Sequence, residues 1–152
     1  MKVNRSVPPA MVVPVLVYPD VRAAVAFLSD AFGFVERTRI GEGHRAQLAV
    51  DGDWAVIVAD AGGDRCPPQP GGVTHTVRLR VADVDAAFMR AREAGAVVVE
   101  TPVDRDYGER DCTVEDLAGH RWQLAEALAD VAPEEFGCQT VSPWPAYESG
   151  AS

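Results

Sequence analysis

Apolar positions along this chain fall into two matched series. The β-branched run from Val12 to Tyr18 predicts a strand, after which Val21, Ala24, Val25 and Leu28 recur at helical spacing. Strand-like stretches follow at Phe34–Ile40, His44–Val50 and Trp54–Ala59. The order then returns: a strand over Val73–Val81, a helical stripe at Val84, Ala87, Phe88 and Ala91, and strands over Ala96–Thr101, Arg110–Glu115 and Arg121–Glu126. Each half reads β-α-β-β-β.

The punctuation repeats with the pattern. Val17–Glu36, VYPDVRAAVAFLSDAFGFVE, realigns on Val81–Glu100, VADVDAAFMRAREAGAVVVE, with Asp20 on Asp83 and Gly33 on Gly95. An Asp before a helix accepts the free N–H groups of its first turn, and a Gly after it takes the left-handed backbone that ends it. Gly52-Asp53-Trp54-Ala55-Val56-Ile57 also has the layout of Gly119-His120-Arg121-Trp122-Gln123-Leu124. Internal symmetry on this scale points to duplication of a whole unit. The fold class is therefore α+β, two tandem βαβββ modules in one domain spanning about residues 1–126: module one about 11–60, a Gly/Pro-rich linker at 61–72 and module two about 73–126. Residues 127–152 form a C-terminal extension whose Phe136, Trp144 and Tyr147 imply that part of it packs on the body or on a partner chain.

Charge and composition narrow the partners. A net charge of −9 argues against a nucleic-acid surface and suits a cationic small ligand. No apolar run is long enough to cross a bilayer, and MKVNRSVPPA lacks a signal-peptide core, so no membrane partner and a cytoplasmic location are expected. Cys66, Cys112 and Cys138 are odd in number and lack CxxC spacing, which fits buried or idle thiols better than a disulfide framework or zinc knuckle. One lysine against abundant Arg, Ala, Gly, Val and Pro is the composition of a GC-rich bacterial gene.

The opening PVLVYPDVRAAVAFLSDAFGF and the ending YGERDCTVEDLAGHRWQLAE resemble the vicinal-oxygen-chelate superfamily of glyoxalase I, extradiol dioxygenases, fosfomycin-resistance enzymes and bleomycin-resistance proteins, over about residues 11–126. The resemblance implies half-barrels that enclose a ligand cavity in pairs, usually within a homodimer. It also implies, for metal-dependent members, four His, Gln or Glu ligands on the first and last strands of each half. In this chain those positions fall on Val13, Val56, Thr76 and Gln123. Two aliphatic groups, a neutral hydroxyl and one amide do not hold a divalent cation, so no metal and no cofactor are expected. His75 neighbours Thr76, but alternation groups it with Val77, Leu79 and Val81, which reads as a structural or rim histidine. His44 and His120 read as local hydrogen-bonding residues.

The face carrying the would-be ligand positions comprises Val13, Val15 and Val17, then Trp54, Val56 and Val58, then Thr76 and Arg78, then Arg121, Gln123 and Ala125. That is an apolar cavity with an aromatic wall and a few polar groups. Trp54 would stack on a planar ligand, Gln123 and Thr76 would orient it, and Trp122 would face the helix. Beside the Tyr107–Glu109 loop, Arg110 and Cys112 share a face with Val114; Arg110 is the candidate donor to an anionic group, and Cys112, with no base in view, packs in the lining. The candidate ligand-binding set is thus Trp54, Val56, Thr76, Arg78, Arg110, Cys112 and Gln123. Two functions fit it. One is a metal-independent homodimer that sequesters a planar or cationic small molecule, as bleomycin-resistance proteins do. The other is a glyoxalase-like lyase or isomerase, or a dioxygenase-family enzyme, acting on a small hydroxy-carbonyl compound.

Overall fold

Asp20 and Asp83 start the two helices in the same way. In the computed structural model, which describes residues 2–148, each has an extended backbone and its carboxylate accepts a first-turn amide at 3.0 Å, from Ala23 and Ala86 respectively. Helix α1 (Val21–Phe32) ends on Gly33 in the left-handed conformation, φ 74°, and α2 (Val84–Glu93) ends on Ala94 with Gly95 next at φ 103°. Around α1 lie β1 (Val15–Tyr18), β2 (Val35–Ile40), β3 (Arg45–Asp51) and β4 (Trp54–Asp60). Around α2 lie β5 (Val77–Arg80), β6 (Val97–Asp104), β7 (Glu109–Glu115) and β8 (Arg121–Ala127). The sheets have orders β1-β4-β3-β2 and β5-β8-β7-β6, each with one parallel pair and two antiparallel pairs. The two βαβββ modules are as the duplicated pattern predicts.

Strand alternation sorts each sheet into two faces. Leu16, Tyr18, Ala46, Leu48, Val56 and Val58 are buried toward α1, and Cys112, Val114, Trp122 and Leu124 toward α2, in one continuous core. The helices pack on each other across the module boundary. Phe32 and Phe34 place their rings 5.0 and 5.7 Å from that of Trp122, and the Arg90 guanidinium donates to the carbonyls of Asp30 and Ser29 at the C-terminal end of α1. Because both helical faces turn toward this shared core, the other face of each sheet points away from it.

Asp116, the first residue of the DLAGHRW turn, ties the modules together. It is buried and accepts the Tyr18 hydroxyl at 2.5 Å and, at 3.0 Å each, the Trp122 indole N–H and the amides of Ala118 and His120. Burial beside this carboxylate raises the Tyr18 phenol pKa far above its ordinary value. His120 Nε2 lies 2.7 Å from the Val17 carbonyl and donates its proton there, while the buried Nδ1 has no hydrogen-bond partner among the described residues.

Segments outside the repeat reach the two sheets. Residues 2–11 run along the outward face of sheet one, where the nearly buried Gln47 (8% exposed) donates its Nε2 to the Ser6 carbonyl at 3.0 Å. After β8, the Leu128 and Ala129 amides donate to the Gly108 carbonyl, and the Phe136 ring sits 5.7 Å from that of Tyr107. Trp144 and Tyr147 remain exposed. Among the described residues no helix is long and apolar enough to cross a membrane.

Candidate functional site

The two outward faces differ in chemistry. On sheet one, Val15 and Val17 on β1, Ala55 and Ile57 on β4, Ala49 on β3 and Val35 on β2 give an apolar surface with Gln47 and Thr38 set into it. On sheet two, the same positions hold a polar network built around Asp111 on β7. This carboxylate is fully buried and accepts Arg105 Nε at 3.0 Å, the Tyr107 hydroxyl at 2.9 Å and Gln123 Nε2 at 3.3 Å. The Gln123 carbonyl in turn accepts Arg78 Nε at 3.1 Å, and the Arg78 guanidinium grips Glu109 with its other nitrogens. That pairing raises the Arg78 pKa, while burial and then the bond to Asp111 raise that of Tyr107. Arg105 also pairs with Glu100, and Arg121 with Glu115 at 3.1 Å. Gln123 is thereby fixed in both position and amide orientation.

The residues singled out in the sequence distribute unevenly over this geometry. Arg78 and Gln123 lie side by side on the outward face, partners in register across β5 and β8. Thr76 is exposed and immediately precedes β5. Trp54 is 72% exposed at the start of β4, beside the N-terminal segment. Val56 does not line the outward face. It pairs with Leu48 and is buried against α1, and Ile57, opposite Val15, takes the outward position; Val58 is buried with Val56. The cause is the place of the glycine: the connections between the equivalent pairs Ala49–Ala55 and Glu115–Arg121 each hold five residues, with Gly52 third in one and Gly119 fourth in the other. Val56 therefore corresponds to Trp122, and Ile57 to Gln123.

Arg110 and Cys112 are corrected on the same grounds. Both alternate with Val114, whose partner is the core residue Trp122, so both belong to the helix side of sheet two. Arg110 is held by Asp104 at 2.9 Å and by Asp85 on α2 at 3.1 Å. Cys112 is fully buried, and burial pushes its thiol pKa up to about 11. Trp54 and Arg110 consequently stand on different modules with different neighbours. Glu126 likewise faces the helix, accepting the Val84 amide at 3.2 Å.

The histidines do not converge. His44 pairs with Asp60 at 3.1 Å, His120 bonds Val17, and exposed His75 places its ring 6.0 Å from that of His120, beside a crevice walled by the linker. Among the described residues no three His, Cys, Asp or Glu side chains form a metal-binding group. At the positions that the resemblance assigns to metal ligands, with the first-half register corrected, stand Val13, Ile57, Thr76 and Gln123, with the Arg78 cation against Gln123. This donor set does not fit a divalent ion.

The sequence profile of the Glyoxalase/Bleomycin resistance protein/Dioxygenase superfamily matches residues 10–124, which cover both modules. The chain belongs to that superfamily. Uncharacterized proteins of Mycobacterium tuberculosis and Mycobacterium bovis are 35% identical to it over 132 residues; the match covers 81% of this chain and 78% and 87% of theirs, respectively. Among solved structures, TioX from Micromonospora sp. is 35% identical, with a TM-score of 0.63 over 78% of this chain and 99% of its own. The fosfomycin resistance protein FosX from Listeria monocytogenes, solved with Mn(II) and a dihydroxypropylphosphonic acid, is 14% identical with a TM-score of 0.64, covering 85% of this chain and 96% of its own; it shares the fold.

Proposed function

We propose that this glyoxalase-superfamily protein binds a small organic molecule without a divalent metal, as a sequestering or resistance-type protein, and does so as a homodimer. The observation that carries the reading is the donor set at the ligand positions, two aliphatic side chains, one hydroxyl and one amide locked between Asp111 and Arg78. Such groups orient a ligand by hydrogen bonds and apolar contact and have little to offer a cation. Pairing two chains would bring the apolar face of one module against the polar face of another, covering both and enclosing a cavity. The enzymatic alternative requires a base to abstract a proton. On sheet two, Glu109, Asp111 and Glu115 are each held by a guanidinium, and the Cys112 thiol is buried in the core. Among the described residues, these carboxylates of that face are thus already paired.

Calorimetry on chelator-treated protein with a panel of planar small molecules, followed by mass spectrometry of the recovered ligand, tests the reading. The expected result is a panel member that binds with the same affinity with and without chelator and is recovered unaltered. Recovery of a converted product, or binding restored only by a divalent ion, would overturn it.

A further inference from the structure

The N-terminal segment and the outward face of sheet one, the apolar side of the proposed cavity, flank a cleft of about 790 Å³. Its floor is Gln47, Ala49 and Ala55, its far wall is residues 2–11, and Trp54 stands at its edge. Exposed large apolar side chains gather here: Val3, Val7 and Met11 from the segment, and Trp54 from β4. An apolar patch of this kind, rimmed by polar groups, marks a binding surface.

The charges in the lining set its sign. Arg22, Arg39, Arg65, Arg78, Arg105, Arg110 and Arg121 pair with carboxylates, and among the described residues Arg45, Arg80, Arg90 and Arg92, outside the cleft, do not. Lys2, Arg5 and Arg37 line the cleft, and among the described residues none of the three has an ion pair. Among the described residues the one carboxylate in the lining is Asp53. The cleft is therefore locally positive on an acidic protein, beside an exposed indole.

We propose that the cleft is a binding site for an aromatic anion, a planar apolar body carrying a carboxylate or sulfonate. The ring system lies against Trp54 and the apolar segment residues, and the anionic group meets Arg5 and Arg37, whose forked N–H donors match a planar carboxylate. The overall charge favours cationic ligands at long range; at contact distance the unpaired guanidinium groups decide the sign. The segment acts as the outer wall, tethered through Gln47 to Ser6. This inference rests on the proposed small-molecule binding and assigns a ligand class to it.

The test is calorimetry with two probes that share a ring and differ in charge, 2-naphthoate and 2-naphthylmethylammonium, at low ionic strength. Wild type is expected to bind naphthoate at least about tenfold more tightly than the ammonium. The double variant Arg5→Gln/Arg37→Gln should weaken naphthoate about tenfold and leave the ammonium nearly unchanged. Trp54→Ala should weaken naphthoate about tenfold, and Arg110→Ala, outside the cleft, should leave it unaffected. All the substituted groups are on or near the surface, and unchanged circular dichroism would establish that the variants fold. Equal affinity for the two probes overturns the charge selection and leaves small-molecule binding standing. Failure of both probes, or naphthoate binding that ignores Trp54 and the arginines, overturns the site. In either of those cases the proposed function survives only if another panel molecule binds the chelator-treated protein.

Discussion

Asp116→Asn tests whether one buried carboxylate holds the modules together. The native side chain accepts four hydrogen bonds: the amides of Ala118 and His120 reach Oδ1, while the Tyr18 hydroxyl and Trp122 indole reach Oδ2. An asparagine keeps an oxygen for the amides and turns an NH2 group toward the other two donors. The Tyr18 hydroxyl can rotate to accept, but the indole N–H cannot, so a buried donor faces a donor. A lost bond to a charged group costs about 1.5–3 kcal/mol and an orphaned buried donor about 1–3 kcal/mol; the terms overlap, and about 3 kcal/mol is expected. For a chain of this length that lowers Tm by about 6–12 °C. Urea unfolding at pH 7, followed by circular dichroism, measures the change, with the exposed Asp106→Asn as a control expected within about 0.5 kcal/mol. A loss below about 0.5 kcal/mol in Asp116→Asn would refute the reasoning.

Four further outcomes are expected. A disulfide-exchange reagent should titrate two thiols per native chain, Cys66 and Cys138, with Cys112 reacting only on unfolding; three fast thiols would contradict its burial. Because the folded Cys112 pKa is raised to about 11, its contribution to stability is complete below the unfolded thiol pKa of about 8.5 and is lost as pH rises toward the folded value. Tyr18 acts in the same direction, so stability should fall from about pH 9 upward, and Cys112→Ala should fall less steeply. Gly108 has φ 85°, and a Cβ there would strike the Ala129 carbonyl and approach Val131 Cγ2 to 2.9 Å; Gly108→Ala should release the C-terminal extension, read as about tenfold faster hydrogen exchange at the Leu128 and Ala129 amides, and unchanged protection would contradict it. Light scattering should give a mass near twice the 16.3 kDa chain, and a monomer at micromolar concentration would oppose the proposed pairing.

The duplicated architecture was legible because its signals are local and strong. Asp20, Asp83, Gly33 and Gly95 act within one helical turn, and the apolar stripes of α1 and α2 name most of the residues that are buried. Face assignment was less legible because it depends on strand register. Aligning Gly52 with Gly119 matched glycines at different places in connections of equal length, and that one-residue slip exchanged Val56 for Ile57. For Arg110 and Cys112 a signal was present: Trp122 reads as facing the helix, Val114 pairs with it, and Arg110 and Cys112 alternate with Val114. Asp111 and Arg105 became visible only through the pairing of β7 with β8, which places Asp111 in reach of Gln123 across the sheet. The bond between Tyr18 and Asp116 joins residues almost a hundred positions apart, and no pattern within either module announces it.

Metal content tests the central claim most directly. The protein is to be dialysed with excess Mn, Ni, Zn and Fe, desalted, and measured by plasma mass spectrometry beside a Gln123→Ala variant. The account predicts far less than one equivalent of any metal per chain and no difference between the two proteins. One equivalent retained by wild type and lost in Gln123→Ala would contradict it.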